Sequence, residues 1–232
     1  MPIPYLITTL LYIFVALFAA ADASLVSLNL ASAFPALRWV RVHFITLGVL
    51  SQVIFGLLPV LAASLAKKPR PALRWDIWLT LNAGLVALIA GFAGVNHPMI
   101  FAGGTLIFIA ATLLLLQLWN ARGRDVPASL KFYITGMFYL LVGIIVGTGL
   151  WLNWSEDFYI KVPLEVHIHA NSWGFMSLVF AGLFVDFIPM ITNRPLGGKS
   201  AIAYIYWGMA LGAFGLVLGP WLGGSLPPTI VG

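Results

Sequence analysis

Apolar residues fall in long unbroken runs along this chain, and charged residues collect in the short intervals between them. A run of about twenty apolar residues is the length a helix needs to cross a bilayer core. Such runs predict seven helices, over 4–23, 38–64, 75–95, 98–119, 131–153, 164–191 and 200–222. The fold class expected is therefore all-α: a polytopic transmembrane helix bundle, with residues 1–232 as a single integral membrane domain. Met1 to Ala23 ends in a signal-like Ala19-Ala20-Ala21-Asp22-Ala23. It has no positive leading region and is long enough to span, so it is expected to be the first helix.

Composition narrows the class further. The chain is 61% hydrophobic and only 8% charged, which excludes an ordinary soluble domain. It contains no cysteine, so an iron–sulfur cluster, a thiolate-held metal, a covalently attached heme and a disulfide are excluded. The net charge of +5 is topological. Nine of the twelve basic residues lie on the N-terminal side of seven spans, namely Lys67, Lys68, Arg70, Arg74, Arg122, Arg124, Lys131, Arg194 and Lys199. The other side holds Arg38, Arg41 and Lys161 beside Asp22, Glu156, Asp157 and Glu165. The positive-inside rule then places the N-terminus in the cytoplasm and the C-terminus outside, in the cell membrane. Lipid is an expected partner and nucleic acid is not.

An internal repeat singles out the candidate chemistry. His43, Gly48, Ser51, Val53 and Gly56 of the second helix match His169, Gly174, Ser177, Val179 and Gly182 of the sixth at a constant offset of 126 residues. The preceding helices correspond with one residue of slippage, Ile7-Thr8 and Tyr12 against Ile134-Thr135 and Tyr139. The pattern predicts a duplicated unit, about 4–120 and 130–223. Small residues recur in membrane helices for close packing alone, but packing does not require the histidine. His97 begins the fourth helix, so three even-numbered helices carry histidine near the same outer surface. A histidine inside a membrane is costly unless it has a partner.

His167 and His169 are two residues apart, about 200° around a helix, and point to nearly opposite faces. Two axial imidazoles on facing helices suit a heme iron. His43 with His169 is the leading pair and His43 with His167 the competing one. His167 reads equally as an interfacial residue, and His97 more as a wetted helix mouth than a ligand. Arg38 and Arg41 precede His43 and suit either propionate carboxylates or interfacial anchoring. Glu165 suits either a hydrogen bond to His169 or a solvated loop. Trp173 and Met176, with Leu47 and Leu50, suit a porphyrin wall or ordinary packing. Asp186 lies about 25 Å beyond His169 by helix rise, too far to ligate, and reads as interfacial.

The His167-Ile168-His169 triplet with Trp173-Gly174, and His43 followed by Leu47-Gly48, resemble the heme-copper oxidase and nitric oxide reductase superfamily. The resemblance covers mainly helices 1–2 and 5–6. It implies a helix whose His-x-His serves hemes from two faces, a second-helix histidine completing a low-spin heme, repeated helical units, hemes near the outer side, and arginines on propionates. Carried over by position, His43 and one of His167 and His169 resemble the low-spin pair, and Arg38 and Arg41 the propionate partners. The chain departs from the family in having fewer spans and no adjacent His-His pair or His–Tyr helix motif for the copper centre. The expectation is a reduced-size relative, not a complete oxygen reductase.

The function expected is a membrane b-type cytochrome with one or two hemes b, for electron transfer or for binding NO or O2. The alternatives are a copper or zinc site built from His43, His97, His167 and His169, and a non-redox transporter or assembly factor. A small bundle also predicts a homo-oligomer or another membrane redox subunit, packed through Gly143, Gly147 and Gly149 or through Gly208, Gly212 and Gly215.

Overall fold

The computed structural model describes residues 1–32, 35–121, 127–194 and 196–223, without the side chains of residues 35–38 and 199. Arg122 and Arg124, two of the charges behind the expected topology, lie outside the described residues. Every regular element among those described is helical: α1 (Ile3–Ser27), α2 (Pro35–His43), π1 (Phe44–Leu50), α3 (Ser51–Leu65), α4 (Trp75–Ala93), α5 (His97–Asn120), α6 (Leu130–Leu152), α7 (Pro163–His169), π2 (Ala170–Met176), α8 (Ser177–Thr192) and α9 (Lys199–Leu222). Taken as continuous rods, they give seven helices long and apolar enough to cross a membrane. The protein is a helical integral membrane protein.

Local chemistry sets the helix ends. Asn96 accepts the backbone N–H of Met99 at 3.1 Å and so caps α5. Asn153 and Asn193 close α6 and α8 in the left-handed conformation, which asparagine tolerates. Helix α1 runs four residues past its expected end. There the Ser24 and Ser27 hydroxyls bond back to the carbonyls of Ala20 and Ser24, so polar residues continue a helix that an apolar count would stop.

The second and sixth spans are not plain α-helices. Each passes through seven residues of π-helix, Phe44–Leu50 and Ala170–Met176, and both segments start on the residue after a repeat histidine. In π-helix each backbone N–H reaches five residues back, and such segments concentrate at functional sites. Two serine hydroxyls follow the same reach: Ser51 donates to the Thr46 carbonyl at 3.0 Å, and Ser177 to the Ser172 carbonyl at 2.9 Å.

The chain divides into two compact units, Met1–Ala110 and Ala111–Gly232, with the division inside α5. In the first, α1 packs on α2, π1 and α3. Tyr12, Ala16, Phe44 and Leu85 form a buried cluster there. Helices α4 and α5 meet at glycines: a Cβ on Gly84 would lie 2.9 Å from the Gly103 carbonyl oxygen, and one on Gly103 only 2.8 Å from that of Gly84. In the second unit, α6 packs on α7, π2 and α8, while α9 packs on α7, π2 and α8. Val146, Ile160, Val166, Ala170 and Val217 form its buried cluster around α7.

Glycines in both units lie against tyrosines. Gly48 lies under Tyr12, where an added Cβ would be 3.2 Å from the ring. Gly174, its counterpart, lies under Tyr139 at 2.3 Å. Gly56 meets Met1 and Tyr5, and Gly182 meets Tyr133 and Phe132.

Candidate functional site

Each repeat histidine closes an α-helical segment and opens a π-helical one. In the first unit, His43 is half-buried and its Nδ1 donates to the carbonyl oxygen of Trp39, one turn earlier, at 2.9 Å. Its ring stacks on the Trp39 indole with centroids 3.9 Å apart and planes 13° from parallel. Trp39 in turn contacts Phe92 of α4 at 3.8 Å. Trp39 was not paired with His43 from the sequence, although residues four apart share a helix face.

In the second unit, His169 turns toward α9, where its Nδ1 donates to the Leu216 carbonyl oxygen at 2.8 Å. His167 turns toward α6, where its Nδ1 donates to the Gly143 carbonyl oxygen at 2.8 Å. The two rings thus address different helices, as their spacing requires. The His167 ring fills a notch left by Gly147: a Cβ there would lie 2.5 Å from both Cε1 and Nδ1. Asn171 closes the notch, donating to the His167 carbonyl at 2.8 Å and packing against Gly143.

A carbonyl oxygen only accepts, so each of these Nδ1 atoms carries a proton, and in the neutral form of such a ring the lone pair is on Nε2. Metal-ligating histidines have this arrangement, with the outer nitrogen fixed by a hydrogen bond that sets tautomer and orientation. The donor set of His43 and His169 therefore fits an axial imidazole role. The sequence did not foresee the partners, because all three are backbone carbonyls and two lie on other helices.

The remaining candidates separate. His97 is exposed in the first turn of α5 beside the Asn96 cap. Arg41 is half-buried in α2 and has no carboxylate in ion-pair range among the described residues. Arg38 lies in α2, and its side chain is outside the described residues. Glu165 is exposed, in keeping with the solvated alternative, and the His169 Nδ1 goes to Leu216. Trp173 is 55% exposed. The supposed wall residues Leu47, Leu50, Trp173 and Met176 all fall inside the π segments, where the four- and seven-residue spacing of an α-helix no longer defines one face.

Two further expectations are corrected. Gly143, Gly147 and Gly149 do not form an outer packing stripe, because Asn171, His167 and Trp154 occupy them. Gly208, Gly212 and Gly215 face open space among the described residues. Asp186 is enclosed by protein and not solvated: it is 8% exposed and accepts the Tyr133 hydroxyl.

Isolated polar residues in the first unit also combine. Asn82 Oδ1 accepts from Tyr12 at 2.6 Å and from Gln52 at 2.9 Å, and Gln52 accepts from Thr8 at 3.1 Å. Asn82 Nδ2 donates to the Trp78 carbonyl at 2.7 Å. This network joins α1, α3 and α4. Among the described residues no group of three or more His, Cys, Asp or Glu side chains could hold a metal ion. Comparison with protein-family models, curated proteins and solved structures finds no match to this chain.

Proposed function

We propose that this protein is a membrane b-type cytochrome that binds heme through His43 and His169. One observation carries the reading: two histidines at matching places in the repeat each end an α-helical turn, open a π segment and commit Nδ1 to a carbonyl. Nothing in helix packing needs an imidazole at both positions, whereas a coordinated iron needs two neutral rings with defined tautomers. The resemblance of His167-Ile168-His169 and His43 to the heme-copper oxidase superfamily supports the same assignment. So does the matched packing of Tyr12 on Gly48 and Tyr139 on Gly174, which favours a duplicated unit.

Bound heme would supply a one-electron couple at its iron. The chain's own residues fix ring orientation through Trp39 and Leu216. With His43 and His169 both holding the iron, the bound heme would serve electron transfer in preference to gas binding. A second, five-coordinate heme on His167 would leave a position for NO or O2, but the Gly147 notch and the Gly143 bond favour anchoring for that ring. A closed copper or zinc site needs three or four converging ligands, and no such group of His, Cys, Asp or Glu occurs among the described residues.

The charge distribution supports a cell-membrane location with a cytoplasmic N-terminus, which puts the histidines toward the outer face. Arg41 and Arg38 are then the candidate propionate partners. A homo-oligomer or a second redox subunit is proposed to pack on the open glycine face of α9.

The test is the absorption spectrum of purified protein, oxidised and dithionite-reduced. A sharp reduced α-band with a Soret shift is expected. Colourless protein with stoichiometric copper or zinc would replace this reading with the metal-site one. Protein that takes up neither heme nor metal when reconstituted would leave the transporter or assembly role.

A further inference from the structure

Asp186 is the only buried acidic side chain among the described residues. It sits in α8, six residues before the helix ends at Thr192, roughly 9 Å from that end at 1.5 Å per residue. Its Oδ2 accepts the hydroxyl of Tyr133, which lies three residues into α6 and is itself 1% exposed. Ser129, the residue before α6, is wholly buried. Its hydroxyl faces both the carboxyl and the phenol, yet it closes no hydrogen bond of its own.

Among the described side chains no charge neutralises this carboxyl. Titratable groups on the elements packed against α8 are Lys131, Tyr133 and Tyr139 on α6 and Lys199, Tyr204 and Tyr206 on α9. Lys131 lays its ammonium over the Tyr206 ring, 4.6 Å from the centroid. Tyr206 pairs with Thr135 at 2.8 Å, Tyr139 donates to the Ala210 carbonyl at 2.8 Å, and Tyr204 is exposed. No described lysine, arginine or histidine lies within ion-pair range of Asp186. An unpaired carboxylate away from water is costly, whereas the neutral acid is far less so and needs only an acceptor for its proton. A hydroxyl can accept that proton and donate its own. Ser129 is such a hydroxyl, with its capacity unused, and it adjoins exposed Ala128 at the start of α6.

We propose that Asp186, clasped by Tyr133 and faced by Ser129, is a proton-binding site that holds one proton at neutral pH and exchanges it with water through Ser129. The step is a simple acid–base transfer: the Asp186 O–H bond breaks as the Ser129 oxygen takes the proton, and the serine hydroxyl proton passes outward. The site stands apart from the histidines in sequence and does not depend on heme.

Infrared difference spectroscopy of the full chain in lipid tests it. At about pH 7 the protein minus Asp186→Asn should show one carboxylic-acid C=O band, which should shift to lower frequency in D2O. Tyr133→Phe should move the same band to higher frequency by removing a hydrogen bond to the carbonyl oxygen, and this covers the case in which Asp186→Asn fails to fold. Ser129→Ala should slow the D2O shift. Absence of the acid band near neutral pH would overturn the proposal. So would a band indifferent to both Asp186→Asn and Tyr133→Phe, a band that never exchanges, or one that appears only when sodium is withdrawn.

Discussion

His169 reaches from the end of α7 to the carbonyl oxygen of Leu216 on α9, with Nδ1 and oxygen 2.8 Å apart. His43, its counterpart, satisfies the same nitrogen within its own helix, on Trp39. The matching positions therefore reach one tautomer by different routes. Ligation through Nε2 would require that tautomer, and His167 holds it as well, on Gly143.

The proposed pairing is tested first by His43→Ala and His169→Ala, each of which should abolish the low-spin heme bands in the reduced-minus-oxidised spectrum. His97→Ala should keep them, because His97 is exposed at the mouth of α5. Unaltered spectra in both repeat-histidine variants would refute the assignment.

His167→Ala separates anchoring from ligation. The ring sits in the Gly147 notch and bonds the Gly143 carbonyl, so its loss should cost about 1–3 kcal/mol of stability while leaving the low-spin bands intact. Thermal unfolding in detergent, read beside the spectrum, checks both halves. Loss of the low-spin bands would move the ligand role from His169 to His167.

Close helix contact in the first unit rests on glycine. A Cβ at Gly103 would stand 2.8 Å from the Gly84 carbonyl oxygen and 2.8 Å from the Leu88 backbone nitrogen, neither of which can move aside cheaply. Gly103→Ala should therefore destabilise by about 1–3 kcal/mol, the usual cost of overpacking. Gly212→Ala, facing open space, should stay within about 0.5 kcal/mol in the same unfolding assay.

The open face of α9 carries the assembly prediction. Native mass spectrometry at low protein density should find a homo-oligomer or a hetero-complex, and Gly212→Leu should shift it toward monomer with the heme spectrum unchanged. A strictly monomeric, heme-loaded species from wild-type protein would defeat it.

Seven spans and the all-helical class were legible in the sequence, because a bilayer-length apolar run leaves the backbone only one way to satisfy its hydrogen bonds within a segment. The opposed directions of His167 and His169 were legible too, since two residues on a helix subtend a fixed angle. The histidine offset of 126 and the paired tyrosines could be read directly from the chain. The tertiary structure alone decided what depends on a second helix. It placed Leu216 and Gly143 as acceptors, assigned Gly143 and Gly147 to intrachain packing, and gathered Gln52, Asn82, Tyr12 and Thr8 into one network. It also buried Asp186 against Tyr133, 53 residues away in sequence. The π segments lie between the two cases. They are local in the backbone, yet no residue type announces them, and they undo the α-helical spacing by which Leu47 and Trp173 were placed. An apolar run records how far a helix extends, whereas which carbonyl a side chain meets is settled only when another helix arrives beside it.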